Sequence, residues 1–301
     1  MGRALYEASA AARGVFEQAD RALGEALTQR CFMGPEDELR QTIYAQPAIV
    51  AVSTAAWAAL GECLGHHAPQ PAAVAGHSVG AYSALVAAGV TDLSAALALV
   101  RERARSMHEA ARRAPGAMAA VLGLPAEAVE AACADTARAG AGVVVVANYN
   151  AADQVVISGE PLAVEQAGAL AKERGARRVV RLAVSGAFHS PLMDWAVGCF
   201  APAVAAAPLR PARTPVISNI SGQPLADEAA LRAELAAQVR APVQWAKTMD
   251  TLVALRVTHV VELGPGQVLS GLLKRRGGVE VLNVDGPAGL ERAAAVLHGR
   301  L

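Results

Sequence analysis

The stretch that most constrains this chain is Gly76-His77-Ser78-Val79-Gly80. It lies between a short apolar run, Ala72-Ala73-Val74-Ala75, and a segment of small and apolar residues, Ala81 to Ala88, that reads as a helix. Strand, G-x-S-x-G and helix in that order make a nucleophile elbow. Such a turn is so tight that Cβ atoms on its two flanks collide, which predicts that Gly76 and Gly80 are both steric necessities. The strained corner lifts the Ser78 hydroxyl out of the sheet. The backbone N–H of Val79 and the positive end of the helix then face whatever Ser78 attacks.

Around this corner the chain alternates between two periods. Residues 2–30 read as two helices, and Gln46 to Leu64 as a long apolar helix. The paired His66-His67 that follow read as a solvated helix end, not as metal ligands. A helix from Asp92 to Arg113 carries Arg101, Arg103 and Arg105 at alternate positions, so Arg101 and Arg105 share a face and Arg103 lies on another. On spacing alone none of the three stands out. From Gly116 the order becomes βαββαβ: Met118–Leu122, Pro125–Ala139, Val143–Ala147, Gln154–Ser158, Pro161–Arg174 and Arg178–Val184. Asn148 to Asp153 reads as a turn. This is the ferredoxin-like, split-βαβ order, and it predicts a self-contained unit over 116–184 inserted into a larger domain made of 1–115 and 185–301. Later elements follow in turn: a strand at Pro215–Ser218, helices from Asp227 and from Pro242, a strand at Val257–Leu263, a helix at Gln267–Arg275, a strand at Val279–Asn283 and a closing helix. Alternating strands and helices in the larger domain argue for a parallel sheet covered on both faces. His189, in Ser185-Gly186-Ala187-Phe188-His189-Ser190-Pro191, falls on a loop entering a helix, where a side chain can project into a cleft as a base.

Composition narrows the function classes. Lys plus Arg equals Asp plus Glu at 27 each, so nothing points to nucleic acid or an anionic membrane as a partner. No apolar run is read as approaching the ~20 residues of a membrane span. Cys31, Cys63, Cys133 and Cys199 form no C-x-x-C pair, which fits a reduced, cytoplasmic protein with no metal site.

Several motifs together are similar to the malonyl-CoA:acyl-carrier-protein transacylases of fatty-acid synthesis. They are Gly76–Gly80 with Tyr82-Ser83-Ala84-Leu85, Asn148-Tyr149-Asn150 with Gln154 to Gly159, Val184 to Met193, Pro242-Val243-Gln244-Trp245, and Glu262 to Leu269. The resemblance runs in order over essentially the whole chain. It implies an α/β fold: an α/β-hydrolase-like large domain with a parallel sheet and an inserted ferredoxin-like domain. It implies Ser78 as nucleophile, His189 as base, the Val79 N–H as oxyanion donor, and Arg103 as the holder of the malonyl carboxylate. It further implies that the Gln238 carbonyl orients the histidine, and that Phe188 fills the space an α-methyl group needs, selecting malonyl over methylmalonyl. Malonyl-CoA and acyl carrier protein are then the partners of a monomer, with no cofactor. Lys274-Arg275-Arg276 and Arg177-Arg178 are candidate docks for an acidic carrier.

The resemblance also implies an earlier strand ending in F-P-G-Q-G-x-Q, whose glutamine N–H supplies a second oxyanion donor. This sequence begins just after that motif, so the expectation is that the first strand is absent and that the start codon sits at an internal Met. Loss of such a donor costs ~10²–10³ in rate. Other readings are a stand-alone polyketide acyltransferase, which uses the same residues, an inactive truncated form that only binds carrier protein, and a serine hydrolase or thioesterase. A hydrolase needs an acid between Ser and His in sequence. Asp92, Asp135 and Asp153 lie in that interval, none of them in a strand-end loop of the larger domain.

Overall fold

The computed structural model describes residues 1–299. The first part of the chain is helical: α1 (Arg3–Ala8), α2 (Ala10–Leu23), α3 (Leu27–Met33), α4 (Glu36–Leu39), α5 (Thr42–Leu64), α6 (Gly80–Ala87) and α7 (Leu93–Arg113). Asp92 caps α7 by accepting from the Ala95 N–H at 2.8 Å. Leu93, Leu97, Val100, Ala104, Met107 and Ala111 then form one buried stripe at helical spacing. Removing such a side chain, as in Leu97→Ala, costs about 2–5 kcal/mol.

α5 corrects the reading that no run is long enough to span a membrane. Its 23 residues are long and apolar enough by length and composition, with mean hydropathy 1.4 in its most apolar window. Two-thirds of that window is buried in the protein, against α2, α7 and the C-terminal helix, so it serves as a core helix. The turn Gly65–His67 follows it. The paired-histidine reading falls partly on His67, whose side chain lies outside the described residues.

The middle of the chain is β1 (Ala117–Leu122), α8 (Ala126–Arg138), β2 (Val144–Ala151), β3 (Gln154–Gly159), α9 (Pro161–Glu173) and β4 (Arg178–Arg181). The strands form one antiparallel sheet in the order β2-β3-β1-β4. Alternation puts Ala119, Val121, Val155 and Ile157 on one face, against Val129, Ala132, Val164 and Ala167 of the two helices. Met118, Ala147 and Val156 point the other way, to Phe188. The expected turn over 148–153 is mostly strand. Two register shifts in β2 let Asn148 to Ala151 stay paired with β3, and the outer edge of β2 bonds Val243 through the Tyr149 N–H and the Ala147 carbonyl. Tertiary pairing overrides the turn preference of Asn. The same contact draws Pro242–Gln244 out of the expected helix.

The remaining elements are α10 (Asp194–Ala206), β5 (Val216–Ile217), β6 (Pro224–Leu225), α11 (Glu228–Gln238), α12 (Trp245–Ala254), β7 (His259–Leu263), α13 (Val268–Arg276), β8 (Glu280–Val284) and α14 (Pro287–His298). The fold is mixed α/β, and its main core gathers α2, α5, α7, α10 and α11. Among the described residues, the parallel sheet expected for the larger domain is a set of pieces. β7 and β8 pair in parallel, β5 pairs with β6, and the segment before the elbow is reduced to one parallel bridge, Val74 with Val216. That bridge brings the chain after β5 alongside the elbow.

Candidate active site

The elbow is as tight as its sequence demands, on one flank. A Cβ on Gly76 would lie 2.0 Å from the Gly80 carbonyl carbon, so only glycine fits there. A Cβ on Gly80 meets nothing within 4 Å, which corrects the expectation that both glycines are sterically required. Ser78 itself takes φ 51°, in the left-handed region. Non-glycine residues in that region cost of order 1–3 kcal/mol and cluster at functional sites. His189, at φ 57°, is strained in the same way. Among the described residues the Val79 N–H has no acceptor, so it is free to donate above Ser78.

The two strained residues meet. The Ser78 Oγ lies 2.8 Å from His189 Nε2. His189 Nδ1 faces two main-chain carbonyls, Gln238 at 3.0 Å and Ala241 at 2.9 Å. Carbonyls only accept, so Nδ1 carries the hydrogen and Nε2 is left to accept from the serine hydroxyl. Burial, then the charge of Arg103, then His77, push the His189 pKa down to about 3, against the two carbonyls. The imidazole is therefore neutral near pH 7 and competent as a base.

Arg103 lies on the other side of the hydroxyl. It is 1% exposed. Its Nη2 donates to Ser78 Oγ at 2.9 Å and, at 3.5 Å, to the Gln238 side-chain oxygen, while Nη1 donates to Gln46 Oε1. Its Nε has no partner. Among the described residues no carboxylate reaches ion-pair distance of this guanidinium. Burial lowers its pKa, and the Tyr82 ring 5.7 Å away opposes the effect. An arginine keeps its charge even so, and a buried cation without a paired anion is costly to keep. Its neighbours Arg101 and Arg105 do ordinary work, on the Leu23 carbonyl and on Glu102.

Known proteins resemble this chain over most of its length. The model of the acyl transferase domain family matches residues 1–284. The malonyl CoA-acyl carrier protein transacylase of Bacillus subtilis is 39% identical over 99% of this chain and 92% of its own length. The chain belongs to the malonyl-CoA:acyl-carrier-protein transacylase family. An acyl-carrier-protein S-malonyltransferase from Burkholderia pseudomallei superimposes with TM-score 0.91 at 37% identity, covering 98% of this chain and 95% of that one. A malonyl-transacylase solved in complex with its type II polyketide acyl-carrier protein superimposes with TM-score 0.93 at 36% identity, covering 98% and 94%.

The candidate site is assembled from four distant parts: the elbow, α7, the loop before α10 and the end of α11. Ser78, Val79, Arg103, His189 and Gln238 lie together, and Phe188, next to the histidine in sequence, is half-buried and packs both on the main core and on Met118, Ala147 and Val156. The acids that a hydrolase would need do not converge. Asp92 caps α7, Asp135 pairs with Arg138 and Arg174, and Asp153 pairs with Arg177 at 3.1 Å.

Sequence reasoning missed four polar residues. Gln46 is held by Thr42 and anchors Arg103. Asn150 Oδ1 lies 2.9 Å from His77 Nε2, and burial lowers the His77 pKa, which favours its neutral form beside Ser78. Asn219 and Glu234 brace the elbow from behind. Gln46 carried one legible signal, a carboxamide inside an apolar helix. A cavity of about 770 Å³ opens at His189, between β2 and the 237–242 segment.

Proposed function

We propose that this chain transfers a malonyl group from malonyl-CoA to the phosphopantetheine thiol of acyl carrier protein, through a malonyl ester on Ser78, for fatty-acid synthesis. The observation that carries the reading is the buried Arg103, without a carboxylate partner and 2.9 Å from the Ser78 hydroxyl. A guanidinium binds a carboxylate through two parallel hydrogen bonds. Malonyl brings that carboxylate, whereas acetyl leaves the cation unpaired at a cost of roughly 2–5 kcal/mol.

In the first half-reaction His189 Nε2 takes the Ser78 proton as Oγ attacks the thioester carbonyl. The Val79 N–H stabilises the resulting oxyanion. Collapse breaks the C–S bond, and His189 returns the proton to the departing CoA sulfur. The second half runs in reverse: the pantetheine thiol gives its proton to His189, its sulfur attacks the ester, and Ser78 leaves with the proton restored. This is ping-pong transfer. The Gln238 carbonyl keeps the imidazole in the required tautomer, so no acid is needed behind it.

In this reading the sheet order β2-β3-β1-β4 is a ferredoxin-like insert over 116–184, and the elbow with its parallel pairs belongs to an α/β-hydrolase-like domain of 1–115 and 185–301. Phe188, beside the base, restricts space at the α-carbon and favours malonyl over methylmalonyl. Arg177, Arg178 and Arg275 line one cavity of about 360 Å³, which supports a basic dock for the carrier protein. Transfer rates that fall with salt fit such a dock, and salt-insensitive rates would remove it. Free thiols at all four cysteines fit a cytoplasmic location. The similarity to a transacylase of polyketide synthesis supports a second pathway for the same chemistry.

Intact mass after exposure to malonyl-, methylmalonyl- and acetyl-CoA tests the reading. A malonyl adduct on Ser78, dischargeable by carrier protein, is expected, with far less of the other two. No adduct, or faster release of free malonate than transfer, would overturn it.

A further inference from the structure

Asn219 and Glu234 touch no reacting atom in the transfer just described, yet Asn219 ties the main chain of Gly76 to that of Ser78, and Glu234 seats Asn219. Asn219 is buried, and its carboxamide spans the elbow. Its Oδ1 accepts from the Ser78 N–H at 2.8 Å, and its Nδ2 donates to the Gly76 carbonyl at 2.9 Å. The orientation of the amide is fixed by its partners, since one can only donate and the other only accept. The main chain of Asn219 is seated in turn. Its N–H donates to Glu234 Oε1 at 2.7 Å, its carbonyl accepts from the Gln244 N–H at 2.7 Å, and Ser218 Oγ donates to Glu234 Oε2 at 2.7 Å. Burial raises the Glu234 pKa, and these hydrogen bonds oppose it.

Glu234 and Gln238 lie one turn apart on α11, so they share a face. Through Asn219 the first locates the main chain of Ser78. Through its carbonyl the second locates His189 Nδ1. One turn of one helix therefore references both partners of the 2.8 Å contact between Ser78 Oγ and His189 Nε2.

We infer that Asn219, seated by Glu234, is a positioning residue that holds Ser78 in its left-handed conformation and aims the hydroxyl at His189. The inference rests on the reading of Ser78 as nucleophile. A carboxamide is required because it alone offers a donor and an acceptor on one short planar group. Aspartate keeps the acceptor and loses the donor, and alanine loses both.

The test follows Ser78 by two routes: labelling by a fluorophosphonate, read by intact mass, and acylation by malonyl-CoA, read as kcat and KM. Thermal midpoints are recorded for every variant. Asn219→Ala is expected to slow labelling and kcat together by about 100-fold, the effect of a misplacement near 1 Å, with KM for malonyl-CoA little changed because Arg103 is untouched. Asn219→Asp, the variant closest in shape, should fall between wild type and Asn219→Ala. Glu234→Ala should slow both routes, the Asn219→Ala, Glu234→Ala double variant should be no slower than Asn219→Ala alone, and Glu234→Gln should recover most of the rate. Wild-type rates in folded Asn219→Ala or Asn219→Asp, a change confined to KM, or additive losses in the double variant would overturn the inference. The phosphonate has no carboxylate. Wild-type labelling without malonyl transfer would thus defeat the transfer reading and leave this one standing.

Discussion

The two sides of the Ser78 hydroxyl are built differently. On one side His189 is neutral, arrives on a loop, and is tied behind only to main-chain carbonyls. On the other Arg103 is cationic, arrives in the middle of α7, and is tied only to side-chain oxygens of Gln46, Gln238 and Ser78 itself. Carbonyl anchors neither titrate nor leave, so Nδ1 keeps its hydrogen at every step while Nε2 takes and returns a proton. Side-chain anchors can be exchanged. In the proposed transfer, the malonyl carboxylate replaces the Ser78 oxygen on Nη2 and releases the hydroxyl for attack. One side is made to stay and the other to trade partners, and the two can be broken separately.

The largest effect belongs to the side that stays. His189→Ala removes the base and should reduce acylation by about 10²–10⁴-fold for every thioester alike. Rapid-quench measurement of the acyl-enzyme with malonyl- and acetyl-CoA checks this. A loss seen with only one of them would show that His189 reads the acyl group, and the contrast between the sides would fail.

Arg103→Ala comes next. Malonyl transfer should drop by about 100-fold or more, while acetyl transfer is kept or gained, because the unpaired cation is gone. Steady-state rates with both esters decide it, and equal loss on both would remove Arg103 from recognition. Gln46→Leu keeps the volume and deletes the principal anchor of that guanidinium. A hydrogen bond to a charged group is worth about 1.5–3 kcal/mol, so KM for malonyl-CoA should rise about tenfold or more with acetyl transfer unaffected. A change in kcat for both esters would instead tie Gln46 to the nucleophile.

How much of this was legible beforehand follows the range of the contacts. The elements over 116–184 are legible because each helix and strand is set by its own local run of apolar residues, although β1 pairs with β3 and β4 much further along the chain. Two stretches depart from the expectation: Asn148 to Ala151 is strand where Val243, almost a hundred residues on, holds the strand edge, and β4 stops at Arg181 instead of running to Val184. Ser78 was legible because a local steric rule, the 2.0 Å approach at Gly76, writes itself into sequence. Arg103 was not, from spacing alone: it stands beside the stripe of Val100, Ala104 and Met107, and its burial depends on what α5 brings opposite. The resemblance supplied its role. Asn219, Glu234 and Gln46 act through bonds spanning 141, 15 and 57 residues, and no local pattern marks an asparagine after a two-residue strand as an elbow clamp.

The smallest effect is on pH, and it joins the two sides. An ordinary histidine titrates near 6.5, so an exposed base would leave acylation about tenfold down at pH 5.5. His189 is pushed down to about 3, first by burial and then by Arg103. The acid limb of kcat/KM for malonyl-CoA should therefore lie well below 6.5, and the rate should hold between pH 7 and about pH 5. The sign for stability is set by the same shift. Between the two pKa values the unfolded chain binds a proton at this residue and the native chain does not, so His189 makes the fold less stable as pH falls below about 6.5. Removing the charge with Arg103→Ala takes away the second cause and leaves burial. The limb should then move up towards 6.5 without reaching it, measured with acetyl-CoA so that the lost carboxylate contact does not intrude. A wild-type limb at 6.5, or one that Arg103→Ala leaves in place, would mean that the cation on the exchangeable side does not act on the base across Ser78.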